Sequence, residues 1–335
     1  MIIDEAVPTP PRPALRSLPQ PVDLSILIVT WNSERWIDRC LRSIDDACDG
    51  IAYEVLVYDN ASDDATLTHI GENVQVIRAH ANDGFAAGTN RALAQSRGRF
   101  VFFLNPDCEL APKALTLLVN FLEQNPHAAA AAPLLDDESG DSQREFQLRR
   151  LPTLRSLATE ILLLDKVFPA NRTTARYRYR DADLTHPIPV EQPAAAAFLL
   201  RRDVFEEIGP LDEQFQPAWF EDVDFCRRLA AAGKPIYAVP AARARHFGGA
   251  SLEHVGLARF VDVWYRNMWL YARKWFTPGE AETLRWLIIS GMLLRCVASL
   301  AGFANGNGRL PSMRAYANVA KKALKRWDDW SPSSS

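Results

Sequence analysis

Cysteine is sparse in this 335-residue chain, and its spacing suggests no pairing. Cys40, Cys48, Cys108, Cys226 and Cys296 are odd in number and form no Cys-x-x-Cys pair. A disulfide framework is therefore not expected, and the thiols read as the reduced ones of a cytoplasmic protein. An apolar leader is also missing. Met1 to Pro21 carries six prolines and no hydrophobic run, so 1–22 reads as a flexible tail and not as a secretory signal. No apolar run reaches the ~20 residues of a spanning helix. Trp286 to Leu294 has nine before Arg295 interrupts it. No glycine-rich, Lys- or Arg-bearing loop follows the first apolar run, which leads into Thr30-Trp31-Asn32-Ser33-Glu34. That speaks against a nucleotidyltransferase. Neither sign of charge dominates, at net −3, and the basic residues fit no nucleic-acid module, so nucleic acid is not an expected partner.

What is present suffices for a core, with 48% apolar residues. Charge is unevenly placed. Residues 256–335 hold 12 Lys/Arg against 5 Asp/Glu, a net +7, which leaves −10 on the remainder. A basic end on an acidic body suggests an anionic partner. Arg309, Arg314, Lys321, Lys322, Lys325 and Arg326 follow the apolar run, with Trp327 and Trp330. The stretch 283–330 either rests on an anionic membrane surface, at the inner face of the cell membrane, or packs on the rest of the chain or a second subunit.

Hydrophobic patterning places strands at 24–30, 53–58, 74–77 and 100–104, with helices over 33–48, 88–97 and 112–124. Alternating elements of these lengths imply a parallel α/β sheet. Residues 136–192 read as loops around one helix near 154–164, followed by strands at 194–200 and 235–239 and helix from 257 onward. Functional groups in such sheets gather at the carboxyl ends of strands. Thr30 and Asn32, Asp59 and Asn60, and Asn105 and Asp107 all fall at such ends.

Each group has a plain reading beside a chemical one. Asn105-Pro106-Asp107 is either a strand-end turn or a carboxylate for a hard cation whose other ligands are diphosphate oxygens. His246 is a structural histidine or a second ligand to that cation. Asp59 and Asn60 cap a helix or bind a nucleobase or ribose. Gly84-Phe-Ala-Ala-Gly88 is not GxGxxG and reads as a close-approach turn before a helix. Glu221, Asp222 and Asp224 open a helix, where carboxylates are favoured. Trp219 and Phe220 beside them suggest a walled site that removes a proton, with Asp222 as base, Glu221 orienting it, and Asp224 capping or pairing with Arg227 or Arg228.

Eight segments, in order, resemble glycosyltransferase family 2 and its rhamnosyltransferase-like members, which extend bacterial surface glycans. They are Ser25-Ile-Leu-Ile-Val-Thr-Trp-Asn32, Val57-Tyr-Asp-Asn-Ala-Ser62, Asn82-Asp-Gly-Phe-Ala-Ala-Gly-Thr-Asn90, Phe103-Leu-Asn-Pro-Asp107, Leu199-Leu-Arg-Arg202, Gly209-Pro-Leu-Asp-Glu213, Phe220-Glu-Asp-Val-Asp-Phe-Cys-Arg-Arg228 and His246-Phe-Gly-Gly-Ala-Ser251. The resemblance implies a GT-A catalytic domain over 23–255, with a mostly parallel central sheet flanked by helices and a basic, mainly helical appendage over 256–335. It implies an inverting sugar transfer from a nucleotide diphosphate donor to a hydroxyl of a glycan or lipid-linked glycan. A dTDP-deoxysugar such as dTDP-rhamnose is the first reading for the donor, and UDP-sugars are the next. Thr30, Asn32, Asp59 and Asn60 would line the nucleotide pocket, and the loop bearing Asn82, Gly84 and Asn90 would close it. Asp107 and His246 would hold Mg²⁺ or Mn²⁺, with Asn105 in place of the family's first Asp, and Asp222 would be the base. Ala194-Ala195-Ala196 replaces a Ser-Gly-Ala of the family and narrows the pocket, and Asp83 has no role in this reading. A non-catalytic nucleotide-sugar or glycan-binding protein on the same fold is the alternative, and an oligomer is compatible with either.

Overall fold

Four apolar runs build the parallel half of the sheet: β1 (Leu24–Thr30), β2 (Tyr53–Asp59), β3 (Gln75–Arg78) and β4 (Phe100–Leu104). Every residue of β1 is buried, as a parallel strand covered on both faces requires. The remaining strands are β5 (Cys108–Leu110), β6 (Ala130–Asp136), β7 (Leu148–Arg149), β8 (Ile188–Val190), β9 (Gln192–Pro193), β10 (Ala197–Arg201) and β11 (Ile236–His246). In the computed structural model, which describes residues 22–248, 250–302 and 308–328, the main sheet runs β3-β2-β1-β4-β10-β6-β11-β5, with β8 added beside β11. The expected tail lies outside the described residues, apart from residue 22. β10 is antiparallel to both β4 and β6, while β11 is parallel to β6. The sheet is thus mostly parallel, as expected, with β10 reversed in its middle and β5 and β8 reversed beside β11. β7 and β9 form a separate two-stranded ribbon.

The short strands β5, β7, β8 and β9 are not anticipated by the sequence, which reads 136–192 as loops around one helix, and two longer strands also depart from expectation. β6 is not anticipated by patterning, because Ala-Ala-Ala-Pro-Leu-Leu has weak β-preference and contains a proline. Burial decides otherwise: six of its seven residues are buried. Pro133 falls where the β6–β11 register shifts, between the pairs Ala132↔Ala238 and Leu134↔Arg243, so no ladder bond is asked of its missing N–H. The expected short strand at 235–239 is the start of an eleven-residue β11 that passes this bulge and ends at His246, opposite Cys108.

The C-terminal helices Ala250–Trp275, Pro278–Leu300 and Arg309–Leu324 are not a separate body. They share an apolar cluster with Leu157, Ile161, Phe215 and Phe220. The expected boundary at 255/256 is marked only by a kink at Gly256 (φ 68°). Thr277 and Glu280 close a capping box with Pro278 in the first turn, which sets the start of the second helix. The nine-residue apolar run expected there is part of this 23-residue helix, which by length and composition alone is sufficient to cross a membrane. Yet 39% of its apolar window is buried against the protein. Of the two readings for 283–330, Lys322 and Trp327 follow the packed one, since both reach Asp262, at 2.7 Å and 3.2 Å. Trp327 is buried and stacks on Trp269. Trp330 lies outside the described residues.

Candidate active site

The sheet order reverses direction between β1 and β4, and ligands bind at the carboxyl ends of strands at such a switch point. Thr30 ends β1 opposite Asp59 of β2. Thr30 is buried, and its Oγ1 has no hydrogen-bond partner. The Asn60 N–H donates to the Thr30 carbonyl at 2.8 Å. The Asn60 amide receives Asp83 N–H (3.0 Å) and donates to the Gly84 carbonyl (3.3 Å). Asn32 accepts from Asp63 N–H, Asp59 from Ser62 N–H, and Asn82 from Gly84 N–H. Thr30, Asn32, Asp59, Asn60, Asn82 and Gly84 are therefore brought together by one chain of contacts. Asn90 is placed differently. Its amide is spent on Leu211, through both N–H and carbonyl, and on Glu213, so it braces the 211–213 loop. Asp83, unassigned from sequence, accepts from the Tyr58 hydroxyl at 2.5 Å and lies 3.8 Å from Arg91. Burial, and then Asp83, push the Tyr58 hydroxyl up to about 12.

Gly84 is held by space as well as conformation. Its φ is +86°, and a Cβ there would meet the Pro217 carbonyl oxygen at 2.6 Å, beside the 2.7 Å bond from Phe85 N–H to the same oxygen. Gly209 has φ +77°, and a Cβ there would meet nothing within 4 Å. Gly84→Ala is expected to destabilise by about 2–4 kcal/mol, and Gly209→Ala by about 1–2, since only the first adds a backbone clash to the left-handed strain. Urea denaturation of the two variants measures the difference; equal losses would mean that the clash is relieved by movement.

Asp107 and His246 meet on neighbouring strands. His246 Nε2 lies 3.5 Å from Asp107 Oδ1, and both side chains are buried. Phe247 N–H donates to the Asp107 carbonyl at 3.0 Å, and Phe146 stacks on the imidazole at 5.2 Å. Gln143 sets the tautomer. Its Nε2 donates to the His246 carbonyl (2.8 Å), which leaves its Oε1 to accept from His246 Nδ1 at 2.9 Å. Nε2 then presents a lone pair toward a carboxylate. Burial holds the imidazole pKa down, against the pull of Asp107. Two acceptors facing each other at this distance suit a divalent cation between them. Cys108 lies in the same cluster, where burial pushes its thiol well up and it donates to the Ala196 carbonyl at 3.4 Å, which favours the protonated thiol over a ligating thiolate.

Asp222 sits in the first turn of the helix Glu221–Ala231, where its Oδ1 accepts Val223 N–H at 2.8 Å. Its Oδ2 receives Gln192 Nε2 and Ala195 N–H, each at 3.4 Å. Burial raises its pKa above the usual carboxylate range, and Arg149 opposes this. Arg149 stands opposite Gln192 in the β7–β9 ribbon, and its Nε is buried without a partner. Glu221 is buried with Oε2 unpartnered, and burial, with Asp222 beside it, pushes its carboxyl well up. Burial thus favours its neutral form, and the orienting contacts on Asp222 come from Gln192 and Ala195 instead. Asp224 turns away from the site. It is fully buried and receives Arg228 (3.0 Å), Trp275 Nε1 (2.7 Å) and Lys274 (2.8 Å), which pins the helix to the C-terminal region.

Trp219 and Phe220 do not wall the base. Both adopt positive φ (72° and 76°), a strained state that needs support. Asn267, fully buried, supplies it by donating to the Ala218 and Trp219 carbonyls at 2.9 Å and 3.0 Å. Trp219 packs edge-on to Phe260, and Phe220 to Trp264. The C-terminal region thus holds the loop that presents Asp222.

One segment joins the two halves of the site. The Ala196 carbonyl accepts from Asn105 N–H and the Cys108 thiol, while Ala195 N–H reaches Asp222. The strand end bearing Asp107 and the side chain of Asp222 are therefore set on either side of residues 195–196. The model of glycosyl transferase family 2 matches residues 25–209. The chain belongs to this family. Among curated relatives, the N-acetylglucosaminyl-diphospho-decaprenol L-rhamnosyltransferase of Mycobacterium tuberculosis is 26% identical over 286 residues, covering 81% of this chain and 91% of that protein. The rhamnosyltransferase WbbL of Escherichia coli is 25% identical over 231 residues, covering 66% and 82%. A structure of S. aureus TarS in complex with UDP-GlcNAc superposes with a TM-score of 0.53 at 17% identity, over 91% of this chain and 81% of that one. GalNAc-T7 with UDP, GalNAc and Mn²⁺ gives 0.57 at 15%, over 92% of this chain and 56% of that longer one. The fold is that of GT-A glycosyltransferases, and the protein is a glycosyltransferase.

Gln143, Gln192, Arg149 and Asn267 escape the sequence reading. They stand in an irregular stretch, in the short strands of the ribbon or in a helix, with no motif around them. A cavity of about 430 Å³ in the C-terminal region, lined by Trp269, Arg273, Phe276 and Glu282 among others, contains none of the site residues.

Proposed function

We propose that this glycosyltransferase moves a deoxysugar, rhamnose first, from a nucleotide diphosphate to a hydroxyl of a lipid-linked glycan, with inversion. The observation that carries the reading is the joint placement of Asp222 and the Asp107–His246 pair about residues 195–196. The two rhamnosyltransferase relatives support the choice of sugar, and the acceptor named for the mycobacterial one supports the lipid-linked class.

The residues divide the work. Thr30, Asn32, Asp59 and Asn60 hold the nucleoside end of the donor. Asp222, held by Gln192 and Ala195 N–H, takes the proton from the acceptor hydroxyl as that oxygen attacks the anomeric carbon. A single base with no second carboxylate acting as nucleophile fits one displacement, hence inversion. Asp107 and His246 would hold a divalent cation, Mg²⁺ or Mn²⁺, which supplies Lewis-acid stabilisation to the leaving diphosphate.

The test is transfer from dTDP-rhamnose and from UDP-sugars, each with Mn²⁺, to a polyprenyl-diphospho-N-acetylglucosamine acceptor, with the anomeric configuration of the product read by NMR. Transfer of rhamnose with inversion is expected. Transfer from UDP-sugars alone would overturn the donor, and retention would overturn the single-displacement mechanism.

A further inference from the structure

We propose that the helix pair Pro278–Leu300 and Arg309–Leu324, with the adjoining segment 164–168, forms one face that lies on an anionic lipid bilayer. The biological sense of this face rests on the lipid-linked acceptor proposed above; the physical case does not.

Pro278–Leu300 is apolar on both sides. One side, with Ala281, Leu284, Ile288 and Met292, is packed into the protein. The opposite side carries Trp286, Leu293, Leu294, Val297 and Leu300, exposed by 52%, 55%, 43%, 65% and 55%. Their spacing sets them in one stripe along the helix. A soluble surface helix carries mostly polar residues there, whereas Ser290 is the one polar residue among the exposed positions of 286–300. The two charges within 283–300 are both withdrawn from this stripe. Arg285 is buried and donates to the Ala323 carbonyl at 3.0 Å. Arg295 donates to the Ile161 and Glu160 carbonyls. The arginine that interrupts the apolar run in the sequence therefore does not interrupt the exposed stripe.

Two flanks extend it. The bonds Arg285 to Ala323 and Cys296 to the Met313 carbonyl show that Arg309–Leu324 runs antiparallel beside the stripe. Its exposed residues 310, 314, 317, 321 and 324 read Leu, Arg, Ala, Lys, Leu at helical spacing. On the other flank, Gly291 touches Ile161 so closely that a Cβ would lie 2.5 Å from its carbonyl oxygen. Just beyond Ile161 the chain exposes Leu164, Val167 and Phe168, by 39%, 65% and 62%, together with Lys166.

Charge chooses the occupant. The exposed charges named on this face, Lys166, Arg314 and Lys321, are all positive, so two copies of it repel each other, whereas phosphates of an anionic leaflet attract it. Burial of its other side keeps the 278–300 helix from spanning; it lies in the plane of the interface, with Trp286 and the leucines at the acyl boundary.

The full chain is to be floated with vesicles of phosphatidylcholine alone and of phosphatidylcholine mixed with phosphatidylglycerol. Binding to the mixed vesicles that weakens about tenfold on neutral vesicles or in high salt is expected. Leu293→Asp with Val297→Asp, and separately Arg314→Glu with Lys321→Glu, should each lower it about tenfold or more. Turnover on a water-soluble, short-chain acceptor should be unchanged in both, which shows that the variants fold. Equal flotation of parent and variants overturns the proposal, as does absence of flotation by the parent. Light scattering that finds a parent dimer, dissolved by Leu293→Asp with Val297→Asp, also overturns it in favour of self-association. Flotation without sugar transfer to any acceptor would leave this face standing and defeat the functional reading instead.

Discussion

Asp222→Asn is expected to lower kcat by about 10²- to 10⁴-fold, the span of general-base catalysis, while nucleotide binding stays near that of the parent. The parent should show an acid limb above the ordinary carboxylate range, because burial raises the Asp222 pKa and the base is lost as pH falls through that raised value. The variant should lack this limb. Stability should move the other way. Asp222 and Glu221 both hold their protons to higher pH in the folded chain than in the unfolded one. Their contribution is complete below the ordinary carboxylate pKa and is lost as pH rises through the raised values. Asp222→Asn should therefore melt higher than the parent near pH 7, with the gain shrinking toward about pH 4. Lost turnover with gained stability separates a catalytic group from a structural one. Asp224→Asn, two positions along, should show the reverse, because it loosens bonds to Arg228, Trp275 and Lys274. Turnover of Asp222→Asn within tenfold of the parent would remove Asp222 from the role.

The contrast between these two aspartates shows where a single sequence is informative. Both stand in the acidic turn, and only the fold tells that one meets Gln192 and Ala195 while the other meets residues about 50 positions away. The strands β1, β2 and β4 are legible because burial on both faces demands unbroken apolar runs. β6 is not, because alanine and Pro133 carry no local strand preference and only tertiary burial recruits them. Pro240 cuts the reading of β11 short in the same way, although it falls in the bulge that the long strand tolerates. Asp107, His246 and Asp222 stand in ordered motifs, which is why the sequence singles them out. Gln143, which fixes the imidazole tautomer across 103 positions, is not, since nothing near it in the chain depends on it. The aromatic pair Trp219–Phe220 is visible in the sequence but takes a different duty in the fold. Its partners Phe260, Trp264 and Asn267 lie in a region that reads from sequence as an appendage.

Asp107→Ala should abolish the metal-dependent part of nucleoside diphosphate binding and lower turnover by about 10²- to 10³-fold, the scale of a lost Lewis acid. The heat of dTDP or UDP binding, measured with and without Mn²⁺, reads the first effect independently of catalysis. Gln143→Leu tests the tautomer argument. It leaves both ligands in place but frees the proton on His246 to move to Nε2, so Mn²⁺ affinity should fall by about 10- to 100-fold. Cys108→Ala is the counter-test. The thiol is protonated and bonded to the Ala196 carbonyl, so its removal should leave Mn²⁺ affinity unchanged. Should Cys108→Ala weaken Mn²⁺ as much as Asp107→Ala does, the thiol would be a ligand, and the pairing of one carboxylate with one imidazole would be wrong. If nucleotide binds equally with and without Mn²⁺ in the parent, the cation has no part in holding the diphosphate. The facing acceptors of Asp107 and His246 would then have to be reconciled by a proton shared between them, against the burial that holds the imidazole neutral.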